Sequence, residues 1–262
     1  MADQQIAFQH DWDPDYMRDV WPRGLDNAFI LDRQASVAVE ITAAGARGPV
    51  LEVGSAEGSN TSQLNLRGLA VFAVEPSAGM LQRAAEKSAA LGTRVTQVCG
   101  IGETLPFTNG TFDRVLCESA LDHVADPGRA IAEMARVLRH DGRLVIGFVN
   151  YGGATVRAAR LVYGVARALG ARWTRRHLFW DSPVPNEHTF ECTYPDVAHL
   201  CAPYFVLDGA RGVSIGWAFP GWGRVLERLP KPAAMKLLWV LDRIAWRVPR
   251  VADYVVTVWR PR

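Results

Sequence analysis

A chain of 262 residues is long enough for one large domain with a substantial apolar interior, and its 49% apolar and 21% charged residues exclude a disordered chain. Its 29 basic and 27 acidic residues leave a formal charge of +2, so the molecule lacks the strong positive field of a dedicated nucleic-acid binder. The first residues, MADQQIAFQHDWDPD, carry no signal-peptide pattern, and no run of about 18 apolar residues occurs; the expectation is a cytoplasmic protein without an ordinary membrane span.

In chain order, Trp12, Tyr16, Met17 and Trp21 have helical spacing and open a segment, 1–47, that either closes over a ligand as a lid or packs on the core. The core follows at 48–150. Residues 50–54 (VLEVG), 70–75 (AVFAVE), 94–98 (RVTQV), 112–117 (FDRVLC) and 143–149 (RLVIGFV) are short, mostly apolar, β-branched runs that read as buried parallel strands. The clearest helix between them spans Asp126 to Arg139. Asp126 can cap it, Pro127 suits its first turn, Ile131, Met134, Val137 and Leu138 share a face, and Asp141-Gly142 stops it. Alternation of this kind predicts βαβ units and a doubly wound α/β sheet, mostly parallel, with helices on both faces.

Beyond the core, 151–203 and 209–250 read as insertions forming a helical cap, and 204–208 and 251–262 as the last two of seven strands. All nine tryptophans lie before residue 22 or after residue 172, outside the core. The stretch 151–180 has no acidic residue, and Arg157, Arg160, Arg167 and Arg175 recur along one side of a helix. That stripe is a solvated face, a clamp for a phosphorylated acceptor, or a peripheral contact with an anionic membrane. The four cysteines form no C-x-x-C pair, two fall in predicted core strands, and the six histidines have no metal-ligand spacing, so no metal is expected.

The chemistry-bearing stretch is Glu52-Val53-Gly54-Ser55-Ala56-Glu57-Gly58-Ser59, where the first strand runs into a turn built from small residues, as a nucleotide-type loop requires. The dinucleotide fingerprint would place its third glycine at 59, but that residue is Ser and the glycine is at 58. Glu75 ends the second strand, where a carboxylate can accept both hydroxyls of a ribose, and Pro76 follows it.

On Glu52, Gly54, Ala56 and Gly58, and on the run GETLPFTNGTFDRVLCESALDHVADPGRAIAEMARVLRHDGRLVI at 102–146, the chain resembles class I S-adenosylmethionine-dependent methyltransferases. The resemblance covers roughly 48–149 and implies a Rossmann-like fold and S-adenosylmethionine as cofactor. It implies that Glu52 and Gly54, with Ser55, Ala56 and Gly58 in the same loop, hold the methionyl part. Glu75 and Pro76 would lie at the ribose, Gly102 and Glu103 would flank adenine, and Glu118 and Ser119 would lie under the sulfonium. Where the family commonly has Asp, this chain has Ile101, which leaves adenine to backbone groups or Glu103.

Methyl transfer from a sulfonium is a direct displacement and needs a base only for a protonated nucleophile. His123 and His188 are the candidates, each with a structural imidazole as its alternative. Tyr16, Trp217 and Trp222 could line a pocket for a small apolar acceptor of isoprenoid, quinone, polyketide or lipid type, or serve as cap packing. Other readings are a non-catalytic member of the fold that binds the cofactor or a partner, and a nicotinamide oxidoreductase. The oxidoreductase reading is opposed by the glycine spacing and by Arg167 four residues after Tyr163. A nucleic-acid base methyltransferase would carry Asn/Asp-Pro-Pro-aromatic where this chain has Glu118-Ser119-Ala120-Leu121.

Overall fold

The computed structural model describes residues 24–172 and 190–262. Among them, seven strands form one sheet: β1 Val50–Val53, β2 Val71–Glu75, β3 Val95–Cys99, β4 Phe112–Glu118, β5 Leu138–Val149, β6 Phe205–Val213 and β7 Tyr254–Pro261. The order is β3-β2-β1-β4-β5-β7-β6; β1 to β5 pair in parallel, and β7 runs antiparallel between β5 and β6. The chain thus winds outward from β1 to β3, returns to β4, and winds the other way, the expected doubly wound plan.

Eight helices accompany the described strands: α1 Leu25–Ala43, α2 Ser59–Leu66, α3 Ala78–Leu91, α4 Pro127–Val137, α5 Ala154–Ala168, α6 Tyr194–Cys201, α7 Trp222–Glu227 and α8 Lys231–Arg247. Strict alternation along the central strands sends side chains to two cores. Val115, Cys117, Ile146 and Val255 meet Ile131 and Met134 of α4 and Val197 of α6 on one face. On the other, Leu116, Val145 and Val256 meet Ile30 and Val37 of α1, Leu64 of α2 and Val156 of α5. The described part of the 1–47 segment is therefore a helix laid on the sheet; residues 1–23, with Trp12, Tyr16, Met17 and Trp21, lie outside the described residues.

Several boundaries differ from the sequence reading, each for a packing reason. Asp126 caps α4 as expected, its Oδ1 accepting from Arg129 N at 2.9 Å. The helix nevertheless ends at Val137, because Leu138 turns extended and pairs with Phe112, so β5 starts before Asp141-Gly142. A Cβ on Gly142 would lie 2.8 Å from Asp113 O, so glycine lets the irregular start of β5 lie against β4. β3 is the sheet's edge and not a buried strand, and its Cys99 is exposed. β6 continues past Asp208 through a bulge to Val213, held throughout by β7. α8 packs along β6, and its Asp242 accepts from Arg33 Nε of α1 at 3.0 Å. None of the described helices is long and apolar enough to cross a membrane.

Candidate cofactor and acceptor site

Glu52 and Val53 close β1, and the chain then turns through Gly54 (φ 74°), Ala56 (φ 45°) and Gly58 (φ 74°) before entering α2. A left-handed backbone at alternate residues is what the small-residue pattern encodes, and Ala56 adopts it at a cost of about 1 kcal/mol or more. Gly54 is constrained twice, since a Cβ there would overlap that of Ala120 in the turn after β4.

Glu75, buried at the end of β2, holds this turn from the side. Its Oε2 accepts from Ala56 N at 2.9 Å and its Oε1 from Ser77 N at 3.0 Å. Between the loop, the end of β2 and the turns after β3 and β4 lies a cleft of about 610 Å³, its open mouth included, at the point where the winding reverses. Its walls are Val53, Gly54, Ala56, Glu75, Pro76, Met80, Gly100, Gly102, Ser119, Ala120, His123 and Val124. Among the described residues it offers one carboxylate, backbone at Gly54, Ala56, Gly100 and Gly102, apolar faces from Val53, Met80 and Val124, and one imidazole.

Behind the cleft lies a polar network that the sequence did not reveal. Asn60, on α2, points its amide nitrogen between two acids, 2.9 Å from Glu52 Oε1 and 3.4 Å from Glu118 Oε2. Glu118 Oε1 accepts from Tyr254 Oη at 2.6 Å and Ser119 Oγ at 3.1 Å. Ser119, with φ 51°, stands between cleft and network, its Oγ also 3.0 Å from Tyr254 Oη. Burial pushes the Glu52 carboxyl up to about 8 against the partly offsetting Asn60 bond, and the Glu118 charge adds to the rise. Burial likewise raises Glu118, while its bonds from Tyr254, Ser119 and Asn60 pull it back. Two buried acids sharing one amide resist ionising together.

The sequence-predicted residues fall into four groups. Gly54, Ala56, Glu75, Pro76, Gly102, Ser119 and His123 line the cleft. Glu52, Ser55, Gly58, Glu103 and Glu118 are not among its walls. Glu103 in particular does not turn a carboxylate to the cleft: its Oε1 accepts from Ala125 N at 2.7 Å and Asp126 N at 3.2 Å, bracing the turn that leads into α4. Trp217 and Trp222, expected to line an acceptor pocket, are instead packing residues. Trp217 is 2% exposed and donates its indole N–H to Asn27 Oδ1 at 3.1 Å, while Trp222 packs with Phe29 and Leu226. His188, Tyr16 and Arg175 lie outside the described residues. Sequence reasoning missed Met80, Val124 and Ala120 in the walls, and Asn60 and Tyr254 behind them.

The cleft suits an adenosyl ligand. Its lining combines the buried Glu75 carboxylate, apolar side chains from Val53, Met80 and Val124, and glycine backbone at 54, 100 and 102. Comparison with known proteins agrees: the profile of the methyltransferase domain family matches residues 51–146. A demethylmenaquinone methyltransferase of Thermobifida fusca is 33% identical over 199 residues, 75% of this chain and 77% of that protein. The chain belongs to the class I S-adenosylmethionine-dependent methyltransferases. Among solved structures, an S-adenosylmethionine-dependent methyltransferase of Thermotoga maritima superposes with a TM-score of 0.61 at 17% identity, covering 98% of this chain and 99% of that one. The Burkholderia thailandensis 1,6-didemethyltoxoflavin N1-methyltransferase gives 0.58 at 20% identity over 100% and 90%. As in the family, the methyltransferase cofactor here is S-adenosylmethionine, which supplies an electrophilic methyl group when bound.

Proposed function

We propose that this methyltransferase acts on a small, apolar acceptor of the quinone or isoprenoid kind. The observation that carries the reading is the relationship to the Thermobifida fusca protein. Its 199 matched residues exceed the length of the 48–150 core and so take in chain outside the cofactor half. The cleft agrees in character, since Ala120 and Val124 stand beside His123 and no lysine or arginine among the described residues lines it.

In this reading Glu75 accepts the two ribose hydroxyls, charge-assisted bonds of the stronger class. The backbone of 54–58 receives the methionyl part, and Val53, Met80 and Val124 enclose the base, with Gly102 backbone answering its polar edge in place of the carboxylate that Ile101 lacks. Glu52 and Glu118 are positioning residues: through Asn60, Tyr254 and Ser119 they fix the loop and the turn after β4 in register. The chain aligns the acceptor with the methyl group and excludes water, which supplies most of the rate in a direct displacement. His123 takes the proton from a hydroxyl or an activated carbon acid. Asp122 Oδ1, 3.8 Å from its Nε2, favours the charged imidazole that results.

The test is product analysis by mass spectrometry with S-adenosylmethionine and a demethylated naphthoquinol, beside a polar catechol and a primary amine. Methylation of the naphthoquinol in preference to both polar acceptors is expected. Turnover of only the catechol or the amine would overturn the acceptor class and leave the cofactor site standing.

A further inference from the structure

Helix α5 is unlike the other helices on the sheet. Its buried residues, Thr155, Val156 and Ala159, are confined to its first two turns. Beyond them Leu161 (68% exposed), Val162 (44%), Val165 (53%) and Leu169 (81%) face solvent. At 100° per residue these four fall within an arc of about 100°, turned away from the strip that Val156 and Ala159 press onto the body. Arg157 borders the exposed arc, exposed Arg167 lies on the opposite side of the helix, and exposed Arg172 follows just beyond the helix end. Arg160 is occupied, its Nη2 2.9 Å from Glu191 Oε1. No acidic residue occurs anywhere from 151 to 180.

An aliphatic strip on a helix whose charged residues are all arginines matches an interface that is apolar beneath and anionic above. A protein partner would more often be met by aromatic anchors, which this strip does not have. We propose that α5 is an interfacial helix that seats the protein on an anionic lipid bilayer. Leu161, Val162, Val165 and Leu169 enter the headgroup boundary, and Arg157 at the strip's edge and Arg172 beyond the helix end meet lipid phosphates. Four residues, 150–153, separate the helix from the end of β5. The inference rests on the helix and not on the acceptor assigned above.

The experiment is vesicle flotation of the full chain at low salt, with phosphatidylcholine alone and with about 30 mol% phosphatidylglycerol added. The protein is expected to float with the anionic vesicles, less with neutral ones, and less as salt rises. Arg157→Ala and Arg172→Ala should each lower partitioning about fivefold. A variant combining Leu161→Ser, Val165→Ser and Leu169→Ser should stay behind while keeping its far-UV spectrum and its S-adenosylmethionine binding. A wild-type chain that fails to float, or a triple variant that floats as well as wild type, overturns the proposal. Gel filtration showing a dimer that the triple variant dissolves, without vesicle binding, overturns it in favour of a second copy of the chain.

Discussion

Replacing Glu52 by Gln should change how stability depends on pH. The side chain is 2% exposed, with Oε1 bonded to Asn60 and Oε2 buried without a partner, so glutamine retains the acceptor and removes the ability to ionise, at a pH-independent cost for the amide N–H groups it buries. Burial raises the carboxyl from 4.5 to about 8. Between those values the folded chain holds a proton that the unfolded chain has released, so stability from this group is full below pH 4.5 and is lost as pH rises through 8. The span of about 3.5 pH units corresponds to something on the order of 5 kcal/mol, with about 3 to 4 of it falling between about pH 5 and pH 8. Glu118, also raised, titrates in both proteins, so most of its slope cancels in the difference. Urea denaturation across that range should therefore show the wild type losing ground to Glu52→Gln by about that amount as pH rises. Parallel curves, or a wild type that gains on the variant with rising pH, would refute a buried, proton-holding Glu52.

Gly147→Ala should destabilise by about 1–3 kcal/mol, because its Cβ would run into Tyr254 Oη and lie 3.2 Å from Glu118 Cγ. Pairing it with Tyr254→Phe should recover part of that loss in thermal melts, and two additive penalties would contradict the crowding argument. His123→Ala should lower methyl transfer about 100- to 10,000-fold at unchanged S-adenosylmethionine affinity; an equal loss in both would make the imidazole a cofactor contact and not a base. Ala56→Gly should leave stability within about 1 kcal/mol of wild type in chemical denaturation, since relief at φ 45° is offset by a freer unfolded chain.

The parts of this molecule that local chemistry determines were legible in its sequence. β1, β2, β4 and the second half of β5 are mostly apolar because they are buried on both faces, and the small residues at 54, 56 and 58 announced the left-handed turn. Glu75 was readable from its place at a strand end. What stayed hidden depends on contacts far apart in the chain. Tyr254 reaches Glu118 across 136 positions, and Asn60 bridges two acids from a helix with little apolar patterning. The tryptophans misled for a related reason: an aromatic side chain fills a pocket wall or a core equally well, and only the neighbours of Trp217 show that it fills a core. Met80 and Val124 carry no signal separating a cleft wall from ordinary burial.

The most direct test of the account is calorimetric titration of the protein and its Glu75→Ala and Glu75→Gln variants with S-adenosylmethionine and S-adenosylhomocysteine, with NAD as the control. The account predicts micromolar binding of both sulfur ligands by the wild type and none of NAD. Affinity should fall by about 100-fold in Glu75→Ala, the loss of roughly two bonds to a charged acceptor, with a smaller fall in Glu75→Gln. Unchanged affinity in both variants would contradict the placement of the ribose at Glu75, and binding of NAD in place of the sulfur ligands would contradict the site itself.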